Sequence, residues 1–149
     1  MKKTILISAI FLILGIVIGN KIYTATNSLQ STFNSGDTYY FLQEGVYSSY
    51  EIMKSNTEEI NGKIVEERNN KFYVYVGITK EEKNAKKIKE IYQEKNYQIY
   101  IKEVILKNEE FFNNVTQFDL LINSTEDPEE ILTITEVVLA NYEEIIKKQ

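Results

Sequence analysis

The sequence predicts an α+β domain in which a βαββαβ unit forms a four-stranded antiparallel sheet with two helices on one face. Residues 40–47 and 72–77 are short runs of alternating aromatic and β-branched residues, a composition typical of strands. Each run includes a Gly, at positions 32 residues apart, and each is followed by a charged helical stretch and another strand-like run. Right-handed crossovers in such a duplicated unit place both helices on the same face.

The first half of this unit begins with a strand over residues 39–46. Alternation places four of its side chains on one face: Phe41, Gln43, Gly45 and Tyr47. Ser48 and Glu51 have the spacing of a capping box, which predicts a helix to about residue 60. Residues 63–68 then form a less apolar strand at an edge of the sheet.

The second half begins after an Asn-Asn turn at residues 69 and 70. Residues 72–78 form the third strand, a helix follows to about residue 95, and residues 97–106 form the fourth strand. We expect the face away from the two helices to be open and to present Phe41, Gln43, Tyr47, Tyr73, Tyr75, Tyr100 and Lys102. The alternative is that the C-terminal segment packs over this face and makes it part of the core.

The N-terminal segment, residues 1–23, has the pattern of a membrane anchor. Residues 4–19 carry no charge, and as a helix they span about 24 Å, which the residues up to Tyr23 extend toward the roughly 30 Å of a bilayer core. Lys2 and Lys3 favour an N-terminus inside the cell, so the domain that follows lies outside. A cleaved signal peptide is the competing interpretation, although the small-residue spacing for cleavage is poor.

Two further segments flank the predicted sheet domain, which covers residues 39–106. Residues 24–38 are rich in Ser, Thr and Asn and form a linker of up to about 50 Å. Residues 107–149 show helical spacing on both sides of Pro128, which predicts a helical hairpin. Its apolar stripe packs on the domain, on itself, on a second copy or on a membrane partner.

Composition excludes several classes of chemistry. The chain of 149 residues has no Cys and no His, so disulfides, thiol or imidazole catalysis and zinc sites built on those ligands are excluded. No cofactor, metal site or catalytic residue is predicted. The formal net charge is −5, and without Lys2, Lys3 and Lys21 the remainder carries −8, which argues against nucleic-acid binding. The chain is therefore predicted not to be an enzyme.

Two motifs carry a resemblance to a known family. The run Phe41-Leu42-Gln43-Glu44-Gly45-Val46-Tyr47-Ser48 and the run Lys71-Phe72-Tyr73-Val74-Tyr75-Val76-Gly77 resemble the two signatures of SPOR (sporulation-related repeat) domains. This resemblance implies a ferredoxin-like fold and binding to peptidoglycan glycan strands stripped of stem peptides, in cell division or sporulation. With 16 Lys against one Arg, the composition indicates an AT-rich genome, as in low-GC Gram-positive bacteria.

The resemblance implies a set of glycan-binding residues on the open face: Phe41, Gln43, Gly45, Tyr47, Ser48, Tyr73, Tyr75 and Tyr100. Sugar rings lie on aromatic faces, and their hydroxyls need amide or hydroxyl partners. Tyr73 stands where many family members carry Arg. Glu44 replaces an apolar residue, so it must lie at a rim, find a Lys or mark a looser fold. These departures favour an alternative function: a protein-interaction or scaffold subunit of a membrane complex, with degenerate glycan binding.

Overall fold

The computed structural model describes residues 36–147, in which strands and helices follow the predicted order. The strands are β1 (Asp37–Tyr47), β2 (Ile64–Arg68), β3 (Lys71–Thr79) and β4 (Tyr100–Leu106). The helices are α1 (Tyr50–Thr57), α2 (Glu82–Glu94), α3 (Glu109–Ser124) and α4 (Pro128–Lys147). The βαββαβ order and the C-terminal helical hairpin are confirmed. The fourth strand begins three residues later than predicted, and α1 ends three residues earlier.

The four strands form one antiparallel sheet in the order β2-β3-β1-β4. The predicted α+β class is therefore confirmed. β1 lies in the interior, paired with β4 over residues 37–43 and with β3 over residues 40–47. β4 is an edge strand, and the side chains of Lys102, Glu103 and Ile105 are exposed on it.

Two irregularities in the pairing of β1 with β3 change which residues share a face. Gln43 pairs with Tyr75, but Gly45 pairs with Val74. Because consecutive residues of β3 point to opposite faces, Gln43 and Gly45 also lie on opposite faces. Tyr47, which pairs with Phe72, follows Gly45. The prediction that Gly45 and Tyr47 share a face with Phe41 and Gln43 was therefore wrong, because Glu44 is an extra residue in β1.

The turns agree with the sequence-based predictions better than the helix caps do. Asn69 and Asn70 have φ of 53° and 55°, which confirms the predicted two-residue turn, and Gly62 has φ of 63° after α1. The capping box predicted at Ser48 and Glu51 is absent. The N-cap of α1 is Ser49, whose side chain makes no capping bond. At α2, the Thr79 hydroxyl accepts the Glu81 backbone N–H instead, at 3.0 Å.

The first two helices lie on the sheet face that carries Leu42, Phe72, Val74 and Gly77, which we call the crossover face. A Cβ at Gly77 would meet Leu42 at 3.1 Å, Thr135 of α4 at 3.2 Å and Ile88 of α2 at 3.5 Å, so the missing side chain lets both α2 and α4 approach the sheet. The Tyr50 ring of α1 lies 5.8 Å from the Phe72 ring. These contacts place both α1 and α2 on the crossover face, as the sequence predicted.

The C-terminal hairpin covers the other face, which carries Tyr39, Phe41, Tyr75 and Ile78 and which we call the hairpin face, while Thr135 of α4 also reaches Gly77 on the crossover face. These side chains form one buried cluster with residues of α3 and α4: Phe111, Val115, Val138, Leu139 and Tyr142. The face that was expected to be open is therefore covered. The sequence alternative, in which the apolar stripe of the hairpin packs on the domain, is the arrangement found.

No helix within residues 36–147 is long and apolar enough to cross a membrane. The predicted anchor over residues 1–23, and most of the predicted linker, lie outside the described residues.

Candidate functional site

The centre of the hairpin face is a stack of aromatic rings without access to solvent. Phe41 is 2% exposed and Tyr75 is 5% exposed. The Phe41 ring meets the rings of Tyr75 and Tyr142 edge-on, at centroid distances of 5.3 and 5.1 Å. Tyr39 stacks on Phe111 at 5.3 Å, and Phe111 lies 5.3 Å from Tyr142. Two of the predicted glycan contacts, Phe41 and Tyr75, are therefore inside the core of this fold.

A polar network closes the β2 side of the same face. The Arg68 guanidinium donates to the Tyr75 hydroxyl at 2.5 Å and lies 4.3 Å from the centre of the Tyr73 ring. Arg68 also pairs with Glu66 at 3.4 Å, and Glu66 accepts from the Tyr142 hydroxyl at 3.2 Å. Burial raises the pKa of both Tyr75 and Tyr142, so both phenols stay protonated at neutral pH. The network joins strands β2 and β3 to α4.

Arg68 also bears on the departure from the SPOR pattern at Tyr73. It is the single Arg of the chain, and it reaches the Tyr73 ring from the neighbouring strand. Its side chain remains about half exposed. A guanidinium is therefore present beside Tyr73, although it is supplied by β2 and not by β3.

The remaining predicted contacts lie at the margin of the sheet. Gln43 is buried, whereas its strand partner Tyr100 is 51% exposed and donates its hydroxyl to Gln98 at 3.2 Å. Ser48 is exposed, and Gly45 is half buried. The structure does not bring the eight predicted residues together on one accessible plane.

Glu44 and Tyr47 form a local pair around Gly45. The Tyr47 hydroxyl lies 2.9 Å from both carboxylate oxygens of Glu44, and a Cβ at Gly45 would come within 2.8 Å of the Tyr47 ring. Burial and the Glu44 carboxylate raise the pKa of Tyr47 to about 12. Burial also raises the pKa of Glu44, while the Tyr47 bond and the nearby Lys63 charge oppose that shift. Glu44 thus lies at the rim beside a Lys, as the sequence required.

A second buried network joins α3 to the start of α2, and the sequence analysis missed it. The Asp119 carboxylate accepts from the Thr79 hydroxyl, from the Lys80 backbone N–H at 2.9 Å and from the Asn84 amide at 3.0 Å. Asp119 and Asn84 are both buried. Burial raises the pKa of Asp119, and these three donors limit the shift. The sequence does contain a signal for this network: Asp119 follows Val115 by four residues and so lies on the apolar stripe of α3, where a carboxylate needs buried partners.

An exposed aromatic side chain lies at the end of the sheet where β1 finishes. Tyr50 of α1 is 53% exposed, and its ring contacts the Phe72 ring of β3. We call these two residues the tip patch. The chain enters the described fold at Gly36, at the other end of β1, so the tip patch lies far from the predicted linker.

The described residues offer little for a metal or a cofactor. Within residues 36–147, no group of three or more carboxylate, His or Cys side chains is arranged to hold a metal ion. One cavity of about 100 Å³ lies where the ends of α1 and α2 meet the start of α4. It is well below the roughly 300 Å³ of a typical ligand pocket. Lys95, in its lining, pairs with Glu129 at 3.1 Å.

Comparison with models of protein families, with curated proteins and with solved structures finds no match for this chain. The likeness to SPOR domains therefore rests on the two sequence motifs and stays a prediction.

Proposed function

We propose that this chain is a non-enzymatic, single-pass membrane protein whose extracytoplasmic SPOR-like domain serves as an interaction subunit of a cell-envelope complex. The observation that supports this choice is the covering of the hairpin face by α3 and α4. A glycan strand cannot reach Phe41 or Tyr75 while the hairpin is in place. The βαββαβ topology agrees with the fold that the resemblance implies, but one fold serves many functions.

Binding to peptidoglycan glycan strands, in division or sporulation, is the second candidate function. The half-exposed ring of Tyr100 favours it, because Tyr100 pairs with Gln43 at the margin of the hairpin face. Ser48 is exposed as well. Such a site would be smaller than the plane of rings that the sequence predicted.

Labelling of single cysteines tests the proposed orientation in the membrane. The chain has no Cys, so Lys83→Cys, on the exposed side of α2, creates a unique thiol. A membrane-impermeant maleimide should label it in intact cells, whereas Lys2→Cys should react only after lysis. Labelling of both or of neither variant in intact cells would contradict an outside domain behind an inside N-terminus.

Pull-down with purified sacculi separates the two candidate functions. The full chain in mild detergent is mixed with sacculi before and after amidase removes the stem peptides. The interaction-subunit proposal predicts no retention on either form. Retention on amidase-treated sacculi that is lost in Tyr100→Ala would overturn it in favour of glycan binding, and Lys83→Ala serves as the matched surface control.

Site-specific crosslinking in cells tests the interaction proposal directly. A photoreactive side chain at Tyr50 samples the tip patch, and the same group at Lys83 samples a charged surface. We expect a discrete protein adduct from position 50 that is absent from position 83. Adducts of equal yield from both positions, or from neither, would count against a partner at the tip patch.

A further inference from the structure

We propose that β1 is the strand through which this domain carries tension between its membrane anchor and whatever it binds. That the strand is under tension rests on the proposed function, because only a domain that is anchored at one end and bound at another is pulled. The mechanical property itself depends on the fold alone. It follows from where the chain enters the sheet.

The chain enters at the first residue of an interior strand. Asp37 begins β1, directly after the segment predicted to be the linker, and β1 has a neighbour on each side. Residues 37–43 pair with β4 and residues 40–47 pair with β3. A force applied through the linker therefore acts along the best-supported strand of the sheet and not on an edge strand.

The direction of the pairing determines how the sheet resists such a force. Hydrogen bonds of an antiparallel ladder run perpendicular to the strands. When β1 is drawn along its own axis, all of its ladder bonds are loaded together. When one end of a strand is drawn sideways, the bonds break one pair at a time. The first geometry needs several bonds to break at once, so its barrier is higher.

Side chains also hold the entry end of β1 in place. Tyr39, Phe41 and Leu42 are all buried, so sliding the strand would draw them out of the core. At the entry, the Asp37 carboxylate pairs with Lys80 at 3.5 Å, and the Lys80 ammonium lies over the Phe112 ring of α3. Movement of β1 is thus opposed by contacts to both β3 and the hairpin.

Constant-force measurements on two variants test the proposal. Both use the full chain in detergent, with one handle on the N-terminus and one on a single engineered thiol. In Lys71→Cys the second handle is at the start of β3, beside the far end of β1, so the force shears β1 against β3. In Lys107→Cys it follows Leu106, the partner of Asp37, so the force peels β1 from β4.

We expect the lifetime of the folded state at equal force to be longer for Lys71→Cys by about tenfold or more, a barrier difference of about 1.4 kcal/mol. Both positions are exposed, and the urea midpoint of each variant is measured so that any change in stability is separated from the effect of the pulling direction. Equal lifetimes, or a longer lifetime for Lys107→Cys, would overturn the proposal. Neither result depends on a binding partner, so the outcome is separate from that of the crosslinking and sacculus experiments.

Discussion

The two faces of the sheet are both covered, but by different chemistry. The crossover face is closed by aliphatic contacts at Gly77, from Leu42, from Ile88 of α2 and from the methyl group of Thr135 of α4. The hairpin face is closed by aromatic rings bordered by Arg68 and Glu66. The Asp119 network instead joins α3 of the hairpin to the end of β3 and the start of α2. A face rich in Tyr and Phe can thus be an interior: the Tyr75 and Tyr142 hydroxyls find partners there, whereas the Tyr39 hydroxyl has none among the described residues.

Among the substitutions that test this comparison, Phe41→Ala is expected to have the largest effect on stability. Phe41 contacts the rings of Tyr75 and Tyr142, so its removal should leave a cavity in the hairpin face and lower the free energy of unfolding by about 3–5 kcal/mol. Leu42→Ala, the matched change on the crossover face, should cost about 2–5 kcal/mol. Urea unfolding measures both. A cost below about 1 kcal/mol for Phe41→Ala would mean that the hairpin does not close this face.

Asp119→Ala tests whether the buried Asp119 network stabilises the packing of the hairpin. The substitution leaves the Thr79 hydroxyl, the Lys80 N–H and the Asn84 amide without their acceptor, and it should lower the free energy of unfolding by about 2 kcal/mol. Glu110→Ala, at an exposed position of α3, is the control and should change it by less than about 0.5 kcal/mol. Equal effects from the two changes would show that the network contributes nothing specific.

The same carboxyl predicts a pH dependence with a definite sign. Burial raises the pKa of Asp119 above its ordinary value of 3.8, so the folded chain holds this proton more tightly than the unfolded chain. Its contribution to stability is fully present below pH 3.8 and is lost as the pH rises through the raised pKa. Relative to Asp119→Asn, which does not titrate, the unchanged chain should therefore lose stability across that window. Urea titrations at stepped pH measure the difference, and an opposite slope would contradict the assignment.

Two Tyr→Phe changes on the hairpin face should differ in their effect on the free energy of unfolding. Among the described residues, the buried Tyr39 hydroxyl has no hydrogen-bond partner, so Tyr39→Phe should leave stability unchanged or raise it by up to about 1 kcal/mol. Tyr75→Phe removes the acceptor of Arg68 and should cost about 1 kcal/mol. Thermal or urea unfolding separates the two, and a loss of stability in Tyr39→Phe would reveal a missed partner.

The smallest effect is expected at the margin of the face. Tyr100 is half exposed, so Tyr100→Ala should change the free energy of unfolding by less than about 0.5 kcal/mol. The variant can therefore be used in the sacculus pull-down without concern for its fold. A cost above about 2 kcal/mol would instead show that Tyr100 belongs to the core with Phe41.

The order of the elements could be predicted because local signals marked most of their ends. Asn69 and Asn70 adopt the positive φ that their side chains tolerate, and Asp127 caps α4 by accepting the backbone N–H groups of Glu129 and Glu130. These signals depend on a few neighbouring residues. They are therefore readable from one sequence.

The covering of the sheet could not be predicted in the same way. Alternation in β1 and β3 shows that two faces exist, but not which segment meets each face. A Tyr such as Tyr75 suits a binding surface and a core equally well, and the partner that decides between them, Tyr142, is distant in the sequence. The face reversal at Gly45 has the same origin, because an extra residue such as Glu44 is defined only by the register of the opposite strand.

The charges on the edge strand β4 have a consequence for contacts between copies of the domain. If two copies of the domain met edge to edge through β4, an antiparallel ladder centred on Glu103 would oppose two carboxylates, and one centred on Lys102 would oppose two ammonium groups. A ladder centred on Val104 would set Glu103 against Ile105. Two of these three registers set like charges against each other, so the charges on β4 oppose pairing of two copies through this edge.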